Sequence, residues 1–340
     1  MQKRSFLVLA AVTLALVVLA VISVTAGNRS SASADIDRLA LPELGTKLGD
    51  LAWIRLSRGS DKTDFAEVNG KWTLVEKGSY PAATGKVRQM LLGLAGLTLI
   101  EPKTERPELF SRLGLDDPKD GHSTLVTLQN RTGATAAELI VGKQRVDRFG
   151  GGEDGVYVRR PGDNRTWLAR GSLELSVQPI DWLDRQLIDL PEQRVASVEL
   201  TDETGAVLTL RRAAADAPFT IENAPADAKL KPAPELAAPA AALHDLELVD
   251  VKPAADLAIP DQGTAKAVYT TFDGLSVTLR LVRRDNADWA VIAAAGSGAT
   301  AAEAKTANDR FGRWGYAIPE TQANLMRRKL ADLIEPPKGS

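Results

Sequence analysis

Trp53-Ile54-Arg55-Leu56, Phe65-Ala66-Glu67-Val68 and Trp72-Thr73-Leu74-Val75 are three short runs separated by Gly59-Ser60 and Asn69-Gly70. They carry the apolar and polar alternation of half-buried antiparallel strands. Asn-Gly is a hairpin signal because both positions tolerate positive φ, so the stretch predicts a three-stranded meander. Thr84 then offers an N-cap, and Val87, Met90, Leu91 and Leu94 fall at i, i+3, i+4 and i+7, one face of a helix that would cover the sheet.

Strand patterns continue at Leu125-Val126-Thr127-Leu128, Ala137–Val141, Val156–Arg159 and Thr166–Ala169, with Gly-rich turns between them. Strands arriving in runs point to an α+β class and not to a doubly wound parallel sheet.

The series recurs. Val198-Glu199-Leu200, Pro218-Phe219-Thr220-Ile221 and Leu246–Lys252 follow in the order of Trp53–Leu56, Lys71–Leu74 and Leu97–Lys103, and Val268-Tyr269-Thr270-Thr271 answers to Leu125–Leu128. Both halves finish in helix-like stretches, Asp181–Pro191 and Leu325–Pro336. The helix after the meander must be shorter in the second half, or begin at Pro239, because Pro232, Pro234 and Pro239 interrupt it. The expected domains are residues 45–192 and 193–337.

Ahead of them, Lys3 and Arg4 precede an uncharged apolar run from Phe6 to Val24. As a helix it would be roughly 28 Å long, close to the ~30 Å hydrocarbon core of a bilayer. Residues 1–27 therefore read as a transmembrane anchor, carried by Phe6, Leu7, Leu9, Val12, Leu14, Leu16, Val17, Leu19, Val21 and Ile22, and 28–44 as a linker. Val24-Thr25-Ala26 also has the small residues of a signal-peptide cleavage site, but the apolar run is longer than a secretory core. The flanking charges place the N-terminus in the cytoplasm and the body in the periplasm of a bacterial inner-membrane, single-pass protein. The expected fold is thus an N-terminal transmembrane helix followed by two duplicated α+β domains of antiparallel sheet with helices packed on one side.

Lys+Arg at 42 against Asp+Glu at 44 gives a net charge of −2, with no field to attract nucleic acid. The chain has no cysteine, which removes disulfides, thiolate metal sites and a cysteine nucleophile. Gly150-Gly151-Gly152-Glu153-Asp154-Gly155 satisfies G-x-G-x-x-G but leads into a strand, so it reads as a hairpin loop and not as a dinucleotide cradle. No P-loop, G-x-S-x-G or H-E-x-x-H occurs. His122 and His244 read as a loop and a helix-end residue, Asp116-Asp117-Pro118 as a turn, and Arg211-Arg212, Arg283-Arg284 and Arg327-Arg328-Lys329 as solvated faces. No catalytic residue, cofactor site or metal site is assigned.

Lys71-Trp72 with its following helix, Leu113-Gly114-Leu115-Asp116-Asp117-Pro118, Val141-Gly142, Val156-Tyr157-Val158, Trp167-Leu168 and Trp182-Leu183, behind an N-terminal anchor, resemble the bacterial domain-of-unknown-function 4340 family. The resemblance implies no activity and no catalytic residues. It implies a single-span protein with an extracytoplasmic body, accompanying ABC-type export systems of the kind linked to gliding motility. Phe219 replaces the Trp in the second copy, and Ile259-Pro260-Asp261 stands where the Gly-Leu-Asp-Asp-Pro would fall.

The expected function is that of a non-enzymatic accessory or binding protein, partnered by the bilayer through residues 6–24 and by ABC-type transporter subunits. The alternatives are a periplasmic hydrolase acting on envelope glycans through carboxylates, and a ligand-sensing domain.

Overall fold

The computed structural model describes residues 35–146, 154–222, 224–260 and 262–335. They divide into two compact units, one of residues 35–69 and 85–178, the other of 70–84 and 179–335.

In the first unit, β1 (Leu51–Arg58) and β2 (Asp61–Val68) turn at Gly59, whose φ of 60° suits glycine. The next two strands, β3 (Lys71–Leu74) and β4 (Tyr80–Pro81), belong to the second unit. Helix α1 (Thr84–Gly96) buries Val87, Met90, Leu91 and Leu94, the predicted stripe. Then come β5 (Thr98–Pro102), β6 (Thr124–Asn130), β7 (Thr135–Arg145), β8 (Gly155–Arg159) and β9 (Thr166–Arg170). The unit's strands run in the order β2-β1-β6-β7-β8-β9-β5, each pair antiparallel. Ile54 faces Phe65 on one side and Leu128 on the other, and all three are buried. A one-residue slip would turn them out to solvent, at about 1.5–3 kcal/mol for each side chain, which fixes the register.

The second unit contains β10 (Gln186–Ile188), β11 (Val195–Thr201), β12 (Val207–Arg211), β13 (Thr220–Ile221), β14 (Leu246–Glu247), β15 (Asp250–Pro253), β16 (Ala265–Thr271), β17 (Ser276–Arg284), β18 (Ala287–Ala295) and β19 (Trp314–Ile318). Its main sheet runs β13-β12-β11-β16-β17-β18-β19-β15, and β10 pairs with β14 apart from it. From β12 onward this order repeats β2-β1-β6-β7-β8-β9-β5 position by position. Two helices, α2 (Ala301–Phe311) and α3 (Glu320–Met326), lie between and after the last strands.

The α+β fold expected from the sequence, a transmembrane helix ahead of sheets covered by helices on one side, is corrected. The described chain is mostly antiparallel sheet, and among the described residues no helix is long and apolar enough to cross a membrane. The anchor residues Phe6 to Ile22 lie outside the described residues. The expected terminal helices are also replaced. Residues 179–182 make one 3₁₀ turn and 186–188 a strand, although Leu183, Leu187 and Leu190 are spaced as on a helix face. All three are buried from nearly extended backbone, so the contacts that a helix stripe would make are made by a strand. At the other end α3 stops at Met326, and only a 3₁₀ turn at Leu330–Asp332 follows. Prolines likewise reduce 233–243 to a five-residue helix and a 3₁₀ turn.

The units do not divide the chain at 192/193. Tyr80 packs edge to face on Trp314 at 5.1 Å and on Tyr316 at 6.2 Å, Lys77 pairs with Asp250 at 2.6 Å, and Ala83 N–H donates to Trp182 C=O at 2.7 Å. These contacts are what make residues 70–84 part of the second unit.

Candidate functional site

The link between its last strands is where the second sheet departs from the first. β8 and β9 are joined by residues 160–165 alone, whereas the chain between β18 and β19 forms α2. Its alanines, Ala301, Ala302, Ala304 and Ala307, have the highest intrinsic helix propensity. Glu303 in the first turn and Arg310 in the last complement the helix dipole.

Asn308 fastens this helix to the sheet. β19 pairs with β18 only over Asp288–Val291. Beyond that ladder, the Ala294 N–H donates to Asn308 Oδ1 and the Asn308 amide donates to the Ala294 C=O, both at 2.8 Å. A side chain thus replaces the missing strand neighbour.

Ala302, Thr306 and Arg310, with Glu303, Ala307 and Phe311, recur every four residues and so make two adjacent rows on one side of α2. They roof a groove of about 430 Å³ whose floor is Leu275, Val277 and Ile292 and whose wall is Leu187 and Leu190. The floor and wall side chains are all buried. The volume lies in the ~300–1,000 Å³ range of small-molecule pockets, and the small Ala302 and Ala307 leave the space open.

Three charged residues stand on the rim. Glu303 accepts two N–H bonds from Arg194 at 3.0 Å each, and Arg194 also reaches Asp273 at 2.9 Å. Asp189 lies 2.9 Å from His244 Nδ1 and accepts from the Asp245 N–H at 3.3 Å, and these bonds hold its carboxyl below the usual range. Arg310 donates to the Gln186 C=O and lies 5.3 Å from the Phe311 ring. Among the described residues no carboxylate pairs with it, whereas Glu303 is paired with Arg194 and Asp189 is hydrogen-bonded through Oδ1.

Below the groove, Phe311 meets Tyr316 edge to face at 6.0 Å, and Tyr316 meets Tyr80. Burial pushes both phenols above the ordinary tyrosine pKa. The site therefore depends on a residue from the 70–84 segment.

A larger cavity, about 600 Å³, lies in the first unit above Leu139, Val158 and Trp167. Its two carboxylates are paired with arginines, and Arg159 and Arg160 donate to backbone carbonyls. Arg165 holds Asp163 through three bonds at 3.3, 3.1 and 2.9 Å and lies 3.6 Å from Asp35; Arg38 also donates to Asp35, and Arg160 donates to the Ala40 C=O at 2.9 Å. Hydrogen bonding from Arg165 lowers the Asp163 pKa. These bonds fasten residues 35–40 to the β8–β9 hairpin.

The other residues singled out in the sequence are dispersed. His122 is exposed, 3.6 Å from Asp116 in the first unit, and His244 belongs to the second. Asp189, His244 and Asp245 offer three ligand atoms within 4.8 Å of one another, but all are exposed and Asp189 is already hydrogen-bonded, so no metal is assigned. Gly150 to Glu153 lie outside the described residues.

The basic runs are not simply solvated faces, and this expectation is corrected. Arg212 is buried, donates to the carbonyls of Glu192, Val195 and Ala215, and lies 4.5 Å over Phe219. Arg283 and Arg327 both bind the buried carboxylate of Asp288. A buried carboxylate without such partners would cost several kcal/mol, on the order estimated for any desolvated ion.

Leu113-Gly114-Leu115-Asp116-Asp117-Pro118 forms a tight corner. Gly114 ends a helical turn at φ 67°, Leu115 is buried with Phe110 and Ile140, and Asp117 accepts from the Lys119 N–H at 3.0 Å. Gly142 passes beneath it so closely that a Cβ there would stand 2.4 Å from the Leu113 carbonyl oxygen. Tyr157 packs on the same cluster. These residues build the first unit, and none of them lines the groove.

Sequence reasoning missed the groove because it assigned no element to residues 301–311. The available signals were the alanine run and the four-residue spacing of Ala302, Thr306 and Arg310.

No curated protein matches the chain. The model of the family described as "Domain of unknown function (DUF4340)" matches residues 72–267, more than half of the chain, from β3 into β16. The chain belongs to the DUF4340 family.

Proposed function

We propose that this chain is a membrane-anchored, extracytoplasmic accessory protein that binds a component of an ABC-type export or envelope complex, with the groove under α2 as its binding site. The observation that carries the binding role is the groove itself: a buried apolar floor of Leu275, Val277 and Ile292, open to solvent beneath a helix, with charged residues confined to its rim. An apolar centre with a polar edge is the anatomy of a recognition surface. The anchoring is supported by the apolar run Phe6–Val24 behind Lys3 and Arg4, which has the length and flanking charge of a single span with its N-terminus in the cytoplasm.

Crosslinking in cells followed by purification from native membranes tests both parts. Transporter subunits should be recovered with the chain, and mass spectrometry should find the N-terminus intact. Recovery of no membrane protein, or a chain that begins after Ala26, would overturn the proposal.

A further inference from the structure

The rim of the groove specifies what enters it. Glu303 is held through both its oxygens by Arg194, and Asp189 through Oδ1 by the Asp245 N–H and His244. Arg310 uses one N–H on the Gln186 carbonyl, has no carboxylate partner among the described residues, and stands at the end of the apolar floor's helical roof. A guanidinium keeps five donors in a planar fork suited to carboxylate or phosphate.

We infer that the groove binds an anionic amphiphile, its aliphatic chain along Leu275, Val277 and Ile292 and its carboxylate or phosphate on Arg310. The polarity of the floor agrees with this assignment. The floor offers no side-chain hydrogen-bond group, so it rewards a hydrocarbon chain and penalises a polar one. A cationic head would meet the like charge of the Arg310 guanidinium. The assignment rests on the binding role proposed above, and it places that site beside a bilayer, where such amphiphiles are concentrated.

The full-length chain in lipid nanodiscs is the material for the test. It would be offered dodecanoate, dodecyl phosphate and dodecyltrimethylammonium, each carrying the same diazirine in the chain, and the labelled peptides mapped by mass spectrometry. The two anions should label α2 and β17, and the ammonium probe should not. R310Q should weaken anion labelling about tenfold or more, R310K should retain most of it, and A307W, which fills the groove, should abolish it. Across an octyl-to-dodecyl series each methylene should tighten binding about threefold to fourfold.

Stronger labelling by the carboxylate would identify a fatty acid, and stronger labelling by the phosphate a phospholipid-type head; either supports the site. Equal labelling by the ammonium probe, or labelling unchanged in both R310Q and A307W, would overturn it. Arg310 is exposed, so R310Q keeps the test open should A307W fail to fold. Absence of groove labelling in a chain that still recovers transporter subunits would remove the amphiphile and leave the accessory role standing.

Discussion

Asn308 and Ala294 exchange two hydrogen bonds of 2.8 Å, so that one side-chain amide continues the ladder of β18 past the point where β19 has turned away. This pair joins the roof of the groove to its floor. N308A should cost about 1–2 kcal/mol in urea unfolding, from two modest net hydrogen bonds. It should also raise hydrogen exchange at Ala294 and in α2 before the rest of the sheet. Unchanged exchange in α2 would mean that the helix is held by its apolar contacts alone.

Tyr269 is fully buried in β16, opposite Val277 of the groove floor, and its hydroxyl has no hydrogen-bond partner among the described residues. Desolvation alone pushes its pKa upward. Y269F removes the stranded hydroxyl and keeps the ring, so stability should hold or rise by about 1 kcal/mol. A drop in thermal midpoint would show that the hydroxyl contributes a bond, and the prediction would fail.

Gly142 has no room for a methyl group, because backbone oxygens of Leu113 and Gly114 would stand 2.4 and 2.7 Å from a Cβ. Backbone yields less readily than a side-chain end. G142A should therefore destabilise the first unit by about 1–3 kcal/mol, as overpacking does. Denaturant unfolding followed by hydrogen exchange should place the loss in β7 and the 113–118 corner, and a loss spread evenly over both units would contradict this account.

Asp202 accepts from the Thr204 N–H at 2.8 Å, the Thr204 hydroxyl at 2.6 Å, the Ala206 N–H at 3.0 Å and Lys329 at 3.0 Å, which holds its carboxyl far below the ordinary range. The unfolded value is about 3.9, so the stability this group adds is complete above roughly pH 4 and is lost as pH falls through the folded value. Asn130 makes the same turn with Thr132 and Ala134, which shows that asparagine fits the geometry. D202N should thus keep the turn, lower stability at neutral pH, and converge with the native chain in strong acid. A difference independent of pH would sink the electrostatic explanation.

Tyr80 is buried between Trp314 and Tyr316, far along the chain from both. Y80A should cost about 3–5 kcal/mol, the usual range for truncating a buried aromatic. Exchange protection in β15 and β19 should fall first while β6–β8 of the first unit keep theirs. The opposite order would remove residues 70–84 from the second unit.

How much of this was legible in the sequence depended on the range of the contacts involved. The meander from Trp53 to Val75, the α1 stripe of Val87, Met90, Leu91 and Leu94, and the turn character of Asp116-Asp117-Pro118 follow from period and turn chemistry, which act over a few residues. Leu183, Leu187 and Leu190 misled because helical spacing and burial from an extended chain place apolar residues alike, and packing decides between them. Arg212 and Arg327 misled for a related reason: the carbonyls and carboxylate that bury them are distant in sequence.

The sequence by itself determined the strand pattern, the α1 helix, the absence of cysteine chemistry and the family marks, because each is a property of neighbouring residues. Tertiary structure alone decided that residues 70–84 join the second unit, that α2 roofs a groove on the sheet, and that Arg310 is the rim charge with no carboxylate partner among the described residues. Those facts depend on which residues meet across long stretches of chain, and no local pattern encodes such a meeting.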